Sequence, residues 1–121
     1  MSYAAKDNTY AMAPWVLKPD EALIIKGRFP ACRFASVVLW NMFMQTLDYR
    51  YRQTSLNRKQ TTLEKDGSFT MVVAHQDPSH VNWLDTEGRF MGVMFWRFQM
   101  AEEAIEPLQT EVVKFADLNF V

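Results

Sequence analysis

One cysteine, Cys32, stands among 121 residues. No disulfide can therefore form within the chain, and the residue reads as a small apolar side chain in a reducing compartment. A basic excess is missing too. Thirteen lysines and arginines face fourteen aspartates and glutamates, giving a net charge of −1 and a pI near 6.1. The cationic face that a general nucleic-acid binder needs is absent from that balance. Residues 1–18 lack the basic start and apolar core of a signal peptide. The apolar runs at Ala35–Trp40 and Gly92–Trp96 fall far short of the ~18 residues that span a bilayer. A soluble, cytoplasmic protein, without membrane or nucleic-acid partners, is the expectation. No nucleophile elbow, phosphate-cradling glycine loop or dinucleotide fingerprint occurs, which sets those enzyme classes aside. A helical period of ten residues and an internal repeat are also lacking.

Bulky apolar residues are abundant: 14% of the chain is aromatic, and there are eight methionines. At this length the chain makes one domain, able to bury about two thirds of its unfolded surface without disulfides. Short β-rich segments alternate with turn residues. Ala22–Gly27 follows the turn at Pro19-Asp20-Glu21, and Phe34–Phe43 follows Pro30. Tyr49–Thr54 alternates as a half-exposed strand, and Asn57–Gln60 reads as a loop. Asp66-Gly67 and Glu87-Gly88 mark turns that open onto strands at Phe69–His75 and Phe90–Phe98. A short helical turn at Ala101–Ile105 and a last strand at Gln109–Phe115 complete the series. This pattern predicts an all-β, antiparallel β-sandwich at 19–121 with an irregular N-terminal arm at 1–18.

Two of these strands break the alternation that a half-wet sheet requires. Phe90–Phe98 places Phe90, Gly92, Met94, Trp96 and Phe98 on one face, and Met91, Val93, Phe95 and Arg97 on the other. Phe34–Phe43 is equally apolar on both faces. The second face must meet the N-terminal arm, another copy of the chain in a homo-oligomer, or a missing companion domain.

The loop between His75 and Asp85 holds the residues best suited to a site. His75, Asp77, Asn82, Trp83 and Asp85, with Arg97 from the next strand, form the candidate ligand-binding set for a small molecule or glycan. His75, Asp77, His80 and Asp85 have metal-ligating chemistry, but their spacing matches no known metal motif, so neither a metal nor another cofactor is expected. Asp77 and Asp85, assisted by His75, could serve a hydrolase acting on a carbohydrate or related small molecule, with Trp83 stacking on a sugar ring. Against this stands the ordinary role of loop aspartates, which is to cap backbone N–H groups. Asn82 and Trp83 read as structural: the amide satisfying loop groups, the indole plugging one end of the sandwich. Arg97 needs a partner such as Asp77, Asp85 or Glu87. In Tyr49–Lys59, tyrosines and cations interleave, but on an alternating strand they fall on opposite faces, which points to ordinary sheet rather than a nucleic-acid surface.

The segments PDEALIIKGRFPACRF (Pro19–Phe34), VVLWNMFMQTLDY (Val37–Tyr49), SLNRKQT (Ser55–Thr61), DGSFTMVVAHQDP (Asp66–Pro78) and NWLDTEGRF (Asn82–Phe90) resemble the domain of unknown function 1214 family. The resemblance runs from Pro19 to the end of the chain, and the Asn-Trp-Leu segment is its most specific part. It implies a β-sandwich of jelly-roll-like character. It also implies a position at the C-terminal end of a longer chain, behind a helical region or a companion domain of unknown function (1254). This chain departs from that arrangement by opening with methionine about eighteen residues before the domain, so a stand-alone and a truncated form are both open. The resemblance assigns no catalytic residue. The expected function is a non-catalytic binding or assembly domain, self-associating or accessory to a larger protein, with the hydrolase as the alternative.

Overall fold

A computed structural model describes residues 2–5, 8–29, 34–41, 53–99 and 108–118. Nine strands fall among them: β1 (Ser2–Ala5), β2 (Asn8–Val16), β3 (Glu21–Gly27), β4 (Phe34–Trp40), β5 (Ser55–Asn57), β6 (Phe69–Ala74), β7 (Trp83–Asp85), β8 (Met91–Gln99) and β9 (Gln109–Lys114). A 3-10 turn at Phe115–Asp117 follows β9. The strands form two sheets, ordered β1-β2-β8-β4-β5 and β7-β6-β3-β9. The protein is an all-β sandwich, as its short strands and turn residues foretell. The expected strand at Tyr49–Thr54 lies largely outside the described residues, and the helical turn at Ala101–Ile105 and Cys32 lie wholly outside them.

Alternation explains the core. On β8, Gly92, Met94, Trp96 and Phe98 turn inward and are buried, as are Ala35, Val37 and Leu39 of β4. From the opposite sheet come Leu23 and Ile25 of β3 and Phe69, Met71 and Val73 of β6. Aromatic rings bridge the layers: Phe69 stacks on Trp96 at 6.0 Å and meets Phe29 at 4.6 Å between centroids. Each large side chain removed from water in this way contributes about 1.5–3 kcal/mol. Gly92 lets the sheet close around Trp15. A Cβ there would strike the Trp40 carbonyl and lie 2.7 Å from the Trp15 ring.

Two expectations need correction. The sandwich is not wholly antiparallel, because β7 pairs with β6 in parallel, through Val72–Trp83, Val73–Leu84 and Ala74–Asp85. Only eight residues separate β6 from β7, and the turn at Ser79, whose φ is +60°, helps the segment fold back to run the same way. The N-terminal arm is not irregular either. Residues Asn8–Val16 form a nine-residue strand in unbroken register with β8. Its period of two is easily missed because the inward positions are the small Ala11 and Ala13, followed by Trp15. Pro14 also reads as a strand breaker. It is tolerated because β1 pairs only with Asn8–Tyr10, so that among the described residues no strand pairs with the far side of β2 at Pro14.

β2 lies beside β8, in the plane of the sheet, so it does not cover the second face of β8, where Val93, Phe95 and Arg97 are half-buried and Met91 is exposed. That outer face carries Tyr10, Met12, Pro14 and Val16 from β2, Met91, Val93, Phe95 and Arg97 from β8, and Val38 and Trp40 from β4. Phe95 is sandwiched between Trp40, stacked at 4.6 Å, and Tyr10 at 5.3 Å. Met12, Val16 and Met91 remain 58%, 63% and 42% exposed.

Candidate functional site

The polar loop after β6 is built around Asn82, which is fully buried. Its Oδ1 accepts the Thr62 amide at 2.9 Å, and its Nδ2 donates to the Thr62 carbonyl at 2.8 Å and the Thr70 carbonyl at 2.9 Å. The side chain thus clasps three segments together, with Oδ1 and both Nδ2 hydrogens engaged inside the protein. Trp83 directs its indole N–H to the Ala74 carbonyl at 3.1 Å. Its ring does not close the end of the sandwich; it packs with Phe115 and Leu118 over Ala22, Val72 and Ala74, on the outer face of the four-stranded sheet.

The two carboxylates expected in the site serve turns. Asp77 is exposed and accepts the Ser79 amide at 2.8 Å. Asp85 is buried and accepts the Glu87 amide at 2.8 Å, which steadies a turn where Glu87 and Gly88 both have positive φ (58° and 76°). His75 is a staple. Its Nε2–H points to the carbonyls of Lys18 at 3.1 Å and Leu17 at 3.3 Å, and its Nδ1 is hydrogen-bonded to the Thr86 hydroxyl at 2.6 Å. Those bonds tie the β2–β3 turn to the β7–β8 loop.

Arg97 belongs elsewhere. It sits on the outer face of the five-stranded sheet, across from Tyr10 and Ser36, whereas β6 and β7 belong to the other sheet. Its Nε is buried and has no hydrogen-bond partner among the described residues. Glu87, one of its expected partners, lies 3.7 Å from Arg89. No group of three or more histidine, cysteine, aspartate or glutamate side chains arranged for a metal occurs among the described residues.

A concavity does exist, but on the outer face of the four-stranded sheet. This cleft of about 660 Å³ is lined by residues of β3, β6 and β9, by Glu64 and His80 from loops, and by Asp117 and Leu118 at the 3-10 turn. Of the groups with site chemistry weighed from sequence, only His80 reaches it. Its Nδ1 accepts the Asn82 amide at 3.0 Å, so the ring proton resides on Nε2. Burial holds its pKa below the ordinary 6.5, against the opposing pull of Glu64. Lys114 is bound to Asp20 at 2.9 Å, and that contact lowers the Asp20 pKa and raises that of Lys114. Lys26, Thr70 and Glu64 gave no site signal in sequence. Outward positions on alternating strands look like ordinary wet surface until pairing brings three strands and two loops around one hollow.

No protein-family model matches the chain, and neither does any curated protein. Among solved structures it resembles an uncharacterised protein from Burkholderia cenocepacia, with 38% identity and a TM-score of 0.87 over 92% of this chain. It also resembles the VPA0106 protein from Vibrio parahaemolyticus, at 17% identity and a TM-score of 0.74 over 89% of this chain. The second likeness concerns the fold alone. In each case this chain spans 31% of the other's length. No helix among the described residues is long and apolar enough to cross a membrane.

Proposed function

We propose that this chain is a non-catalytic assembly module of the domain of unknown function 1214 family, and that it works by docking the outer face of its five-stranded sheet against another polypeptide surface. The observation that carries this reading is the apolar face around Phe95, where Met12, Val16 and Met91 stay exposed. Isolated exposed apolar residues are ordinary, but an apolar face with side chains exposed on two adjacent strands is the mark of an interaction surface. The length of the Burkholderia relative, of which this fold occupies under a third, supports a setting in which the sandwich sits beside further chain.

Arg97 narrows the partner. It is the only charged residue among the outward positions of β2, β4 and β8 in the described residues. Two copies placed face to face would bring like charges together with no acid among the described outward positions of β2, β4 and β8, which is costly in a desolvated contact. A companion surface that supplies a carboxylate would answer both the charge and the unpartnered Nε. Such an occupant fits better than a second copy.

Light scattering and binding of a hydrophobic dye test this on the chain alone, compared with a Val16→Asp/Met91→Asp variant. The expected wild type is a 14.2 kDa monomer that binds the dye, with dye binding lost in the variant. A heavier wild-type species that the variant returns to monomer would keep the docking face and make the partner a second copy. A monomer with no dye binding would overturn the reading.

A further inference from the structure

The cleft on the four-stranded sheet lies on the opposite side of the sandwich from the docking face, and its charges are arranged in a telling way. Lys26 and Thr70 face each other across β3 and β6. The Lys26 ammonium and the Thr70 hydroxyl have no protein partner among the described residues, and the Glu64 carboxylate makes no ion pair or hydrogen bond there. Lys114, by contrast, is held by Asp20 and feels Asp117 nearby. One cation and one anion thus line the same hollow without pairing with each other. Ile24, Val113 and Leu118 add apolar lining to it. His80 adds a rigid wall, since the amide that fixes its ring belongs to Asn82, itself clamped on three sides.

We propose that this cleft binds a short apolar peptide by its free ends, the carboxylate at Lys26 and Thr70 and the ammonium at Glu64. The volume falls within the roughly 300–1,000 Å³ of small-molecule sites. Length follows from spacing. Adjacent strands stand about 4.8 Å apart, and Glu64 lies on a loop outside the β3–β6 pair that carries Lys26 and Thr70. With Lys26 on a strand and Glu64 on a separate loop, the occupant assigned to the cleft is longer than a single amino acid. An extended chain covers about 3.3–3.6 Å per residue, so roughly two or three residues reach from one charge to the other. Fixed charges of both signs select a zwitterion over a simple fatty acid or amine, because either of those would leave one charge facing its own sign or unpaired. The apolar lining selects leucine- or valine-like side chains over polar ones.

Titration of the isotope-labelled protein with the dipeptide Leu-Leu, followed by two-dimensional amide NMR, tests the proposal. Saturable shifts are expected at Ile24, Lys26, Thr70, His80 and Leu118. Leu-Leu amide and N-acetyl-Leu-Leu should each bind about tenfold more weakly than the free dipeptide. Lys26→Met should erase the preference for the free carboxylate alone, and Glu64→Gln the preference for the free amine alone. Both residues are exposed, so both variants should keep the wild-type melting temperature. Equal binding of capped and free dipeptide would overturn the proposal, as would the absence of saturable shifts up to about 5 mM, a range that captures even weak sites. Binding to leucine as tight as to Leu-Leu would overturn the assigned length.

Discussion

At the scale of single residues, the loop that looked most like a binding site is held together by satisfied hydrogen bonds. Asn82 shows this most plainly. Replacing it with alanine removes three bonds from a buried position and leaves the Thr70 carbonyl and the backbone N–H and carbonyl of Thr62 to find other partners. Asn82→Ala should therefore lower the unfolding free energy by about 2–3 kcal/mol, measured by urea denaturation. Asn82→Asp should do no better, because a carboxylate cannot donate to the two carbonyls now served by Nδ2. His80 adds a dependence on pH. Its folded pKa is held below the ordinary 6.5 by burial, so between the two values the unfolded chain binds more protons than the folded one. Stability should then rise with pH through that window and level off above about 6.5. Melting temperatures recorded across the window should show a shallower slope in His80→Gln. An unchanged slope would mean that other groups set the acid sensitivity.

At the scale of elements, β8 organises the five-stranded sheet. It pairs with β2 on one side and β4 on the other, and its inward residues Met94, Trp96 and Phe98 are buried in the core. The strand tolerates glycine at position 92 because the Trp40 carbonyl and the Trp15 ring occupy the space that a side chain would need. Gly92→Ala should cost about 1–3 kcal/mol through this overpacking, visible as a lower urea midpoint with an unchanged slope. Gly88 offers a contrast. A Cβ there meets nothing within 4 Å, but its φ of +76° is strained for any other residue. Both glycines stand in sequence as simple punctuation. The Glu87-Gly88 turn was legible because a turn is local, whereas the role of Gly92 depends on Trp15, seventy-seven positions away, and was not.

At the scale of the whole molecule, the sandwich presents two dissimilar outer faces. One is apolar, with Arg97 the only charge among the described outward positions of β2, β4 and β8; the other is hollowed and carries charges of both signs. Val16→Asp and Met91→Asp alter only exposed positions, so each should change stability by no more than about 0.5 kcal/mol by urea denaturation while removing the apolar character of the first face. A larger loss would mean that these side chains belong to the core. Surface ion pairs such as Arg28–Asp66, at 3.2 Å between exposed groups, should matter little to either face, because solvent screens them.

The sequence alone determined the all-β class, the strands at β3, β4, β6, β8 and β9, the turns at Gly67 and Gly88, and the fact that β8 is apolar on both sides. These are properties of short windows, where a period of two or a glycine between polar residues carries the message. Tertiary structure decided the rest. The segment that was expected to be an arm became a strand because β8 offered it a partner, which no local pattern reveals. The candidate residues His75, Asp77, Asn82, Trp83 and Asp85 turned out to serve turns, staples and packing, and Arg97 fell on the other sheet. Neighbours along the chain need not share a face. The cleft arose where strand pairing brought residues 24, 26, 64, 70, 80, 112–114, 117 and 118 together, because the side of a sheet to which a residue belongs is fixed by register with its neighbours and not by its own identity.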